Sequence, residues 1–350
     1  MEETLRRCLE DLEERIDPAQ EERLLARWRA FAERGSEEEV FDPRRGRLAP
    51  PRTEWPAIRV NEAIARPEAM LLHQYGACSR RLASGDGLLL WVRANYGTSI
   101  LPLLFGAEPF VMPDETDTLP TSRPLPDRDA VRRAVERGMP GLDAGYGAPV
   151  MEMADRFARV AAEYPKIGRF VHVVHPDLQG PLDVCEVVWG SGLFEALYDD
   201  APLVHALLDL VTRAYEAMMR RWLAVWPPGP DGVCHWGFWH RGAIMLRLDS
   251  ATNLSPAMVD AFSRPYDQRL LDAFGGGALH FCGRGDHFLP SLAAMRGLTA
   301  VNLSQPELND MERVFAATVD RGVRVLGLAR SAASAASRRG RALRGLVHVL

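Results

Sequence analysis

The sequence has no apolar run long enough to span a bilayer. A transmembrane helix needs about 20 predominantly apolar residues, and none of the 350 positions begins such a run. The opening stretch, MEETLRRCLEDLEER, is charged from its second residue and lacks the apolar region of a signal peptide. These absences lead us to expect a cytoplasmic protein without a membrane partner. Excess positive charge is also missing. Lys plus Arg is 42 against 47 for Asp plus Glu, a formal charge of −5, so nucleic acid is not an expected partner. Cysteine is sparse and odd in number. Cys8, Cys78, Cys185, Cys234 and Cys282 are widely scattered, which argues for thiols, one or two of them candidate metal ligands, over a disulfide framework. No Gly-rich dinucleotide fingerprint follows an early strand, which weakens a nucleotide-binding fold. Lysine is scarce beside arginine, and Ala, Gly and Pro are frequent; this reads as a GC-rich genome before it reads as function.

What is present begins with a helical arm. Leu5, Cys8, Leu12 and Ile16 form one apolar stripe, Asp17-Pro18 interrupts it, and Leu24, Leu25, Trp28 and Phe31 resume it before Gly35. Residues 37–56 are polar and Pro-rich and read as a linker. Residues 1–57 are therefore assigned to an arm and linker that cover either the main domain or a partner in a homodimer. Residues 58–350 form the main domain. There, β-rich runs at 87–97, 169–177, 232–240, 243–250, 278–283, 299–305 and 323–329 alternate with helical segments. The long helix is 202–226. A second begins at Ser255-Pro256, should break near Pro265, and ends at Gly275-Gly276-Gly277. An Ala-rich, basic segment after 329 reads as a final helix. Strands alternating with helices imply a parallel sheet in an α/β fold, either doubly wound or a (β/α)8 TIM barrel.

The polar residues at the predicted strand ends favour the barrel, whose active sites gather on that rim. Asn95, His175, Asp177, His235, Asp249, His280, Cys282, Asn302 and Ser304 all fall at or just past such ends. In ALHFCGRGDHF, His280 and Cys282 are two apart and project to the same side of a strand. An imidazole and a thiolate facing one way suit Zn²⁺; a buried cysteine beside a hydrogen-bonded histidine is the plainer alternative. Asp249 is a metal ligand, a general acid/base or a turn carboxylate. Asp177, with His175 and Gln179, forms a polar knot before Gly180-Pro181. In CHWGFWH, Trp236, Phe238 and Trp239 lie with His235 and His240 and form either an aromatic wall or core. Asn95, Tyr96 and Asn302 are candidate hydrogen-bonding groups in the pocket, and Arg284 is a candidate anion-binding group. Asp286 is read as a helix cap.

RLDSATNLSPAMVDAFSRPYDQRLLDAFGGGALHFCGRGDHFLPSL resembles the C-terminal half of the uroporphyrinogen decarboxylase superfamily, with its Asp-Ser segment, Leu-Ser-Pro, a helix with an internal Pro-Tyr, and a strand ending in His-x-Cys-Gly. HPDLQGPLDVCEVVWGSGLFEALYDDAPLVHALLDLVTRAY and RANYGTSILPLLFGAE are similar to earlier segments, so the likeness runs over roughly residues 60–330. It implies a (β/α)8 barrel and one of two chemistries. One is metal-independent decarboxylation of a tetrapyrrole or other carboxylated substrate by a lyase, or tetrapyrrole binding without turnover. The other is zinc-assisted methyl transfer between a methyl donor, or a corrinoid carried by a partner protein, and a thiol, as in the methylcobamide:coenzyme M methyltransferases. The decarboxylase's Arg-Gln-Ala-Gly-Arg signature is absent; HQYGACSRR at 73–81 is no match. A porphyrinogen pocket needs guanidinium groups for its carboxylates, so methyl transfer is favoured. His280 and Cys282 match the methyltransferases' first two zinc ligands, but no cysteine follows Cys282. Either the metal is absent or a replacement third ligand comes from Asp249, His235, His240, Cys234 or His348. Asp249, His240 and Asp177 are the candidate catalytic residues. Arg284, Asn95, Tyr96, His235, Trp239 and Asn302 are the candidate substrate contacts.

Overall fold

A computed structural model describes all 350 residues. Its eleven strands are short: β1 Leu90–Val92, β2 Glu108–Phe110, β3 Thr121–Arg123, β4 Val171–Val173, β5 Val233–His235, β6 Phe238–His240, β7 Ile244–Arg247, β8 Gly277–Phe281, β9 Leu298–Leu303, β10 Arg324–Leu328 and β11 Val347–Val349. Strands β7 to β11 form one parallel five-stranded sheet in chain order, and β1 pairs with β4 in parallel. Two antiparallel hairpins, β2–β3 and β5–β6, complete the set. The fold is a mixed α/β architecture in which helices connect and cover parallel strands.

Alternation within the strands separates two cores. Leu246, Leu279, Val301 and Val325 lie opposite one another across the five-stranded sheet and join the large cluster beneath the helices. Met245, Ala278, Ala300 and Leu326 point the other way and join a smaller cluster. That smaller cluster also contains Leu89 and Val174, from the ends of the β1–β4 pair, and Cys234, Phe238 and Trp239 from the β5–β6 hairpin. The inner faces of both parallel sheets therefore meet in one interior. The helix at Ala201–Val225 matches its periodic pattern. The chain breaks between helices Pro256–Phe262 and Arg264–Ala273 where Pro265 requires it, and the Ser255 hydroxyl accepts from the Met258 N–H at the first start.

Three expectations are corrected. Residues 232–240 form a hairpin and not one parallel strand, because Trp236 and Gly237 both take positive φ and reverse the chain in two residues. Arg169 and Phe170 are helical, since Pro165 starts a short helix that delays β4 to Val171. The C-terminal Val347–Val349 adds a strand too short to read from its pattern.

The arm is docked along its length. α1 (Glu2–Arg15) and α2 (Pro18–Arg34) are separated by Asp17, whose carboxylate accepts from the Ala19 and Gln20 N–H groups. Trp28 of α2 lies in the smaller core and its Nε1 donates to the Gly87 carbonyl at 2.8 Å. The segment read as a linker is held too. Buried Arg45 forks onto Glu21 with two 2.7 Å bonds. Phe41 donates to the Val347 carbonyl and accepts from the Val349 N–H, covering the free edge of β11.

Candidate metal centre

The register of the five-stranded sheet builds the site. Arg247, His280 and Asn302 are direct neighbours on β7, β8 and β9. They form a polar rung one step beyond the apolar rung of Met245, Ala278 and Ala300. Just past the strand ends, Asp249 and Cys282 fold over this rung. The ligand atoms of Asp249, His280 and Cys282 all lie within 4.8 Å of one another. Cys282 Sγ is 3.3 Å from His280 Nε2, and Asp249 Oδ1 is 3.9 Å from the same nitrogen.

Hydrogen bonds outside the triad fix its orientation. The Asn302 amide donates to the Leu326 carbonyl at 2.6 Å, which turns its oxygen toward His280 Nδ1, also at 2.6 Å. His280 therefore carries its proton on Nδ1 and presents a bare Nε2 to Cys282 and Asp249. Burial, with the Arg247 charge behind it, lowers the imidazole's pKa and keeps it neutral. Burial raises the Cys282 thiol, against a contact with the Ser304 hydroxyl at 3.5 Å. Asp249 Oδ1 accepts from the Cys282 backbone N–H at 2.6 Å and so ties the two loops together. Behind it, buried Asp183 accepts from the Asp249 and Ser250 N–H groups at 3.1 and 2.9 Å. Burial, and then the Asp249 charge, push the Asp183 carboxyl up to about 7.

The donor set suits a borderline-soft divalent cation. One imidazole nitrogen, one sulfur and one carboxylate oxygen are the ligand types of zinc, and three protein ligands leave a position for a substrate atom. With thiolate and carboxylate both ionised, the ligand charges balance Zn²⁺. Of the replacements considered for the missing cysteine, only Asp249 reaches the triad. His348 is buried in β11, where its Nδ1 accepts from the Gly327 N–H at 3.0 Å and its ring packs 4.6 Å from Trp28. His240 donates from Nδ1 to the Arg241 carbonyl, and burial lowers it to about 4. Cys234 is buried in the smaller core.

Next to the triad lies a buried charged network. Asp177 Oδ2 is 3.1 Å from Arg93 Nη1, and its Oδ1 is 3.2 Å from Arg247 Nη2 and 2.5 Å from the Gln179 amide. Arg93 also donates to Asn95 Oδ1 at 2.7 Å. His235 Nε2 faces Arg247 Nη2 at 3.4 Å, and its ring lies 4.4 Å from that of His175. His175 accepts from the Met245 N–H at 3.0 Å and donates to the Pro176 carbonyl at 2.8 Å, and burial lowers it to about 3. The remaining candidates have other partners. Tyr96 is buried 5.0 Å from the ring of Tyr146, Trp239 packs under Arg29, and Arg284 pairs with Asp286 at 3.0 Å with its side chain 67% exposed. Asp286 is not a cap. It is fully buried and joins Arg284 to Arg313.

Sequence reasoning missed Arg93, Arg247 and Asp183. The arginines carried a signal. Each interrupts an apolar strand at a position with the same parity as a residue already singled out, Asn95 for Arg93 and Asp249 for Arg247. Guanidinium groups are therefore not missing from this region: Arg93 and Arg247 are both buried there, and Asp177 engages both.

No protein-family model and no curated protein matches the chain. Among solved structures, a methyltransferase from Methanosarcina mazei is similar with a TM-score of 0.63 and 16% identity, over 83% of this chain and 81% of the other. At that identity the likeness is one of fold. No helix is long and apolar enough to cross a membrane.

Proposed function

We propose that this chain is a methyltransferase of the uroporphyrinogen decarboxylase superfamily that binds Zn²⁺ through His280, Cys282 and Asp249. In this reading the seven parallel strands and their covering helices belong to the wall of a (β/α)8-type barrel that is one parallel strand short of eight, with residues 1–57 as a docked arm, and the structural neighbour's methyltransferase character carries over. The convergence of an imidazole nitrogen, a sulfur and a carboxylate oxygen within 4.8 Å carries the proposal, because these three donor types together suit zinc. When bound, Zn²⁺ supplies a site at which a substrate thiol is held as thiolate at neutral pH. Asn302 holds the His280 proton on Nδ1, so Nε2 stays a ligand. Asp183 holds the Asp249 turn in place from behind. The methyl donor is a small molecule or a corrinoid on a partner protein, entering at the strand-end rim.

Purified protein should contain one zinc per chain, and Cys282→Ser or His280→Ala should lose it. The wild type should also methylate a small thiol from methylcobalamin. A metal-free wild type, intact and inactive in that assay, would sink the proposal. The buried guanidinium groups of Arg93 and Arg247 favour one second reading, a metal-independent carboxy-lyase. Turnover of a carboxylated substrate by chelator-treated protein would select it.

A further inference from the structure

Trp236 occupies a backbone position that disfavours it. Its φ is 53° and that of Gly237 is 84°, the two positive values of a type I′ hairpin turn, where Asn-Gly is the preferred pair. A bulky side chain in the left-handed region is an outlier whose persistence calls for a function. The turn is also wedged into the interior. The Gly237 carbonyl accepts from Leu89 ahead of β1 at 2.9 Å, His235 lies against His175 beyond β4, and Phe238 crowds Gly327 on β10, where an added Cβ would come within 2.7 Å of its ring. At the tip, the indole carries the Arg247 guanidinium 4.1 Å from its centroid. It stands perpendicular, at 88°, to the His280 imidazole, with centroids 4.9 Å apart.

Asn302 grips His280 only at Nδ1, which leaves the ring free to tilt about that bond. We propose that Trp236 is a positioning residue that removes this freedom: braced by Arg247, the indole fixes the plane of His280 so that Nε2 meets the metal beside Cys282 and Asp249. The inference rests on the zinc reading above.

The turn itself supplies a clean test. Trp236→Asn installs the pair the backbone prefers, which offsets the packing lost where the indole lies against the smaller core, so the metal-free variant should melt close to wild type. Its Zn²⁺ affinity, measured by competition with a chromogenic chelator, should fall at least about 10-fold, as for other groups that orient a metal ligand. The visible absorption bands of the Co²⁺-loaded protein should shift, and Trp236→Phe should restore most of the lost affinity. Wild-type affinity with unchanged Co²⁺ bands in Trp236→Asn would overturn the inference and leave the zinc reading standing. So would a lowered melting temperature of the metal-free Asn variant, which would make the indole a packing residue, or a Phe variant as weak as the Asn one. A wild type that binds no Zn²⁺ would remove the zinc reading and this inference with it.

Discussion

Asp177 is the single negative charge between two buried guanidinium groups, so its removal should be costly and its cost can be worked out. The carboxylate lies 3.1 Å from Arg93 and 3.2 Å from Arg247, and all three side chains are at most 10% exposed. At an effective dielectric near 20, each contact is worth on the order of 5 kcal/mol of attraction before desolvation is counted. Asp177→Ala leaves two cations facing each other in the interior, a change that typically costs about 3–5 kcal/mol. A chain of 350 residues unfolds with an entropy of roughly 0.7 kcal/mol per kelvin. The variant should therefore melt about 4–7 °C below wild type at pH 7, read by calorimetry or circular dichroism. Burial alone would raise the Asp177 carboxyl, but Arg247, Arg93 and the Gln179 amide outweigh it and hold the carboxyl below its usual range. Its folded pKa is thus the lower one. Its contribution is complete above the unfolded value, about pH 4, and is lost as the pH falls through the folded one. Wild type and Asp177→Ala should converge in acid. A melting temperature within about 1 °C of wild type at pH 7 would refute the view that Asp177 neutralises the arginines.

Three further outcomes are expected. Asp267 is fully enclosed and accepts from the Ser263 hydroxyl at 2.5 Å, and burial raises its carboxyl to about 7. It therefore supports folding below about pH 4, and that support is lost as the pH rises toward 7. Asp267→Asn should flatten the stability-versus-pH curve over that range and leave the protein a few kcal/mol more stable at pH 8; a loss of stability at pH 8 would contradict it. Asn302→Leu, which keeps the volume but frees His280 Nδ1, should weaken Zn²⁺ binding about 10- to 100-fold in a chelator competition, and unchanged affinity would count against the orienting bond. Arg45→Met leaves Glu21 buried without its fork and should cost about 3–5 kcal/mol. Limited proteolysis should then cut first within residues 35–57, and a cleavage pattern like wild type would show that the arm is held by other contacts.

Much of the fold was legible because its signals are local. Apolar stripes, the interruption at Asp17-Pro18, Ser255 at a helix start and Pro265 at a helix break all act over three or four residues, and each stands where the sequence puts it. His280 and Cys282 do meet, at 3.3 Å, but Cys282 lies just past the end of β8, so the loop and not strand parity alone sets its direction. The hairpin at 232–240 was not legible, because its turn depends on Trp236 holding a positive φ, against its intrinsic preference. Nor was β11, whose three residues owe their strand state to β10 and Phe41.

The sequence by itself therefore determined a parallel α/β chain with a His-x-Cys pair at a strand end. Only the tertiary structure decided which residues meet that pair. Ladder register between distant strands set Arg247 and Asn302 on either side of His280, and the loop after β7 brought the Asp249 carboxylate within 4.8 Å of the His280 and Cys282 ligand atoms. No spacing along the chain encodes such neighbours, since they arise from which strands pair and in what register.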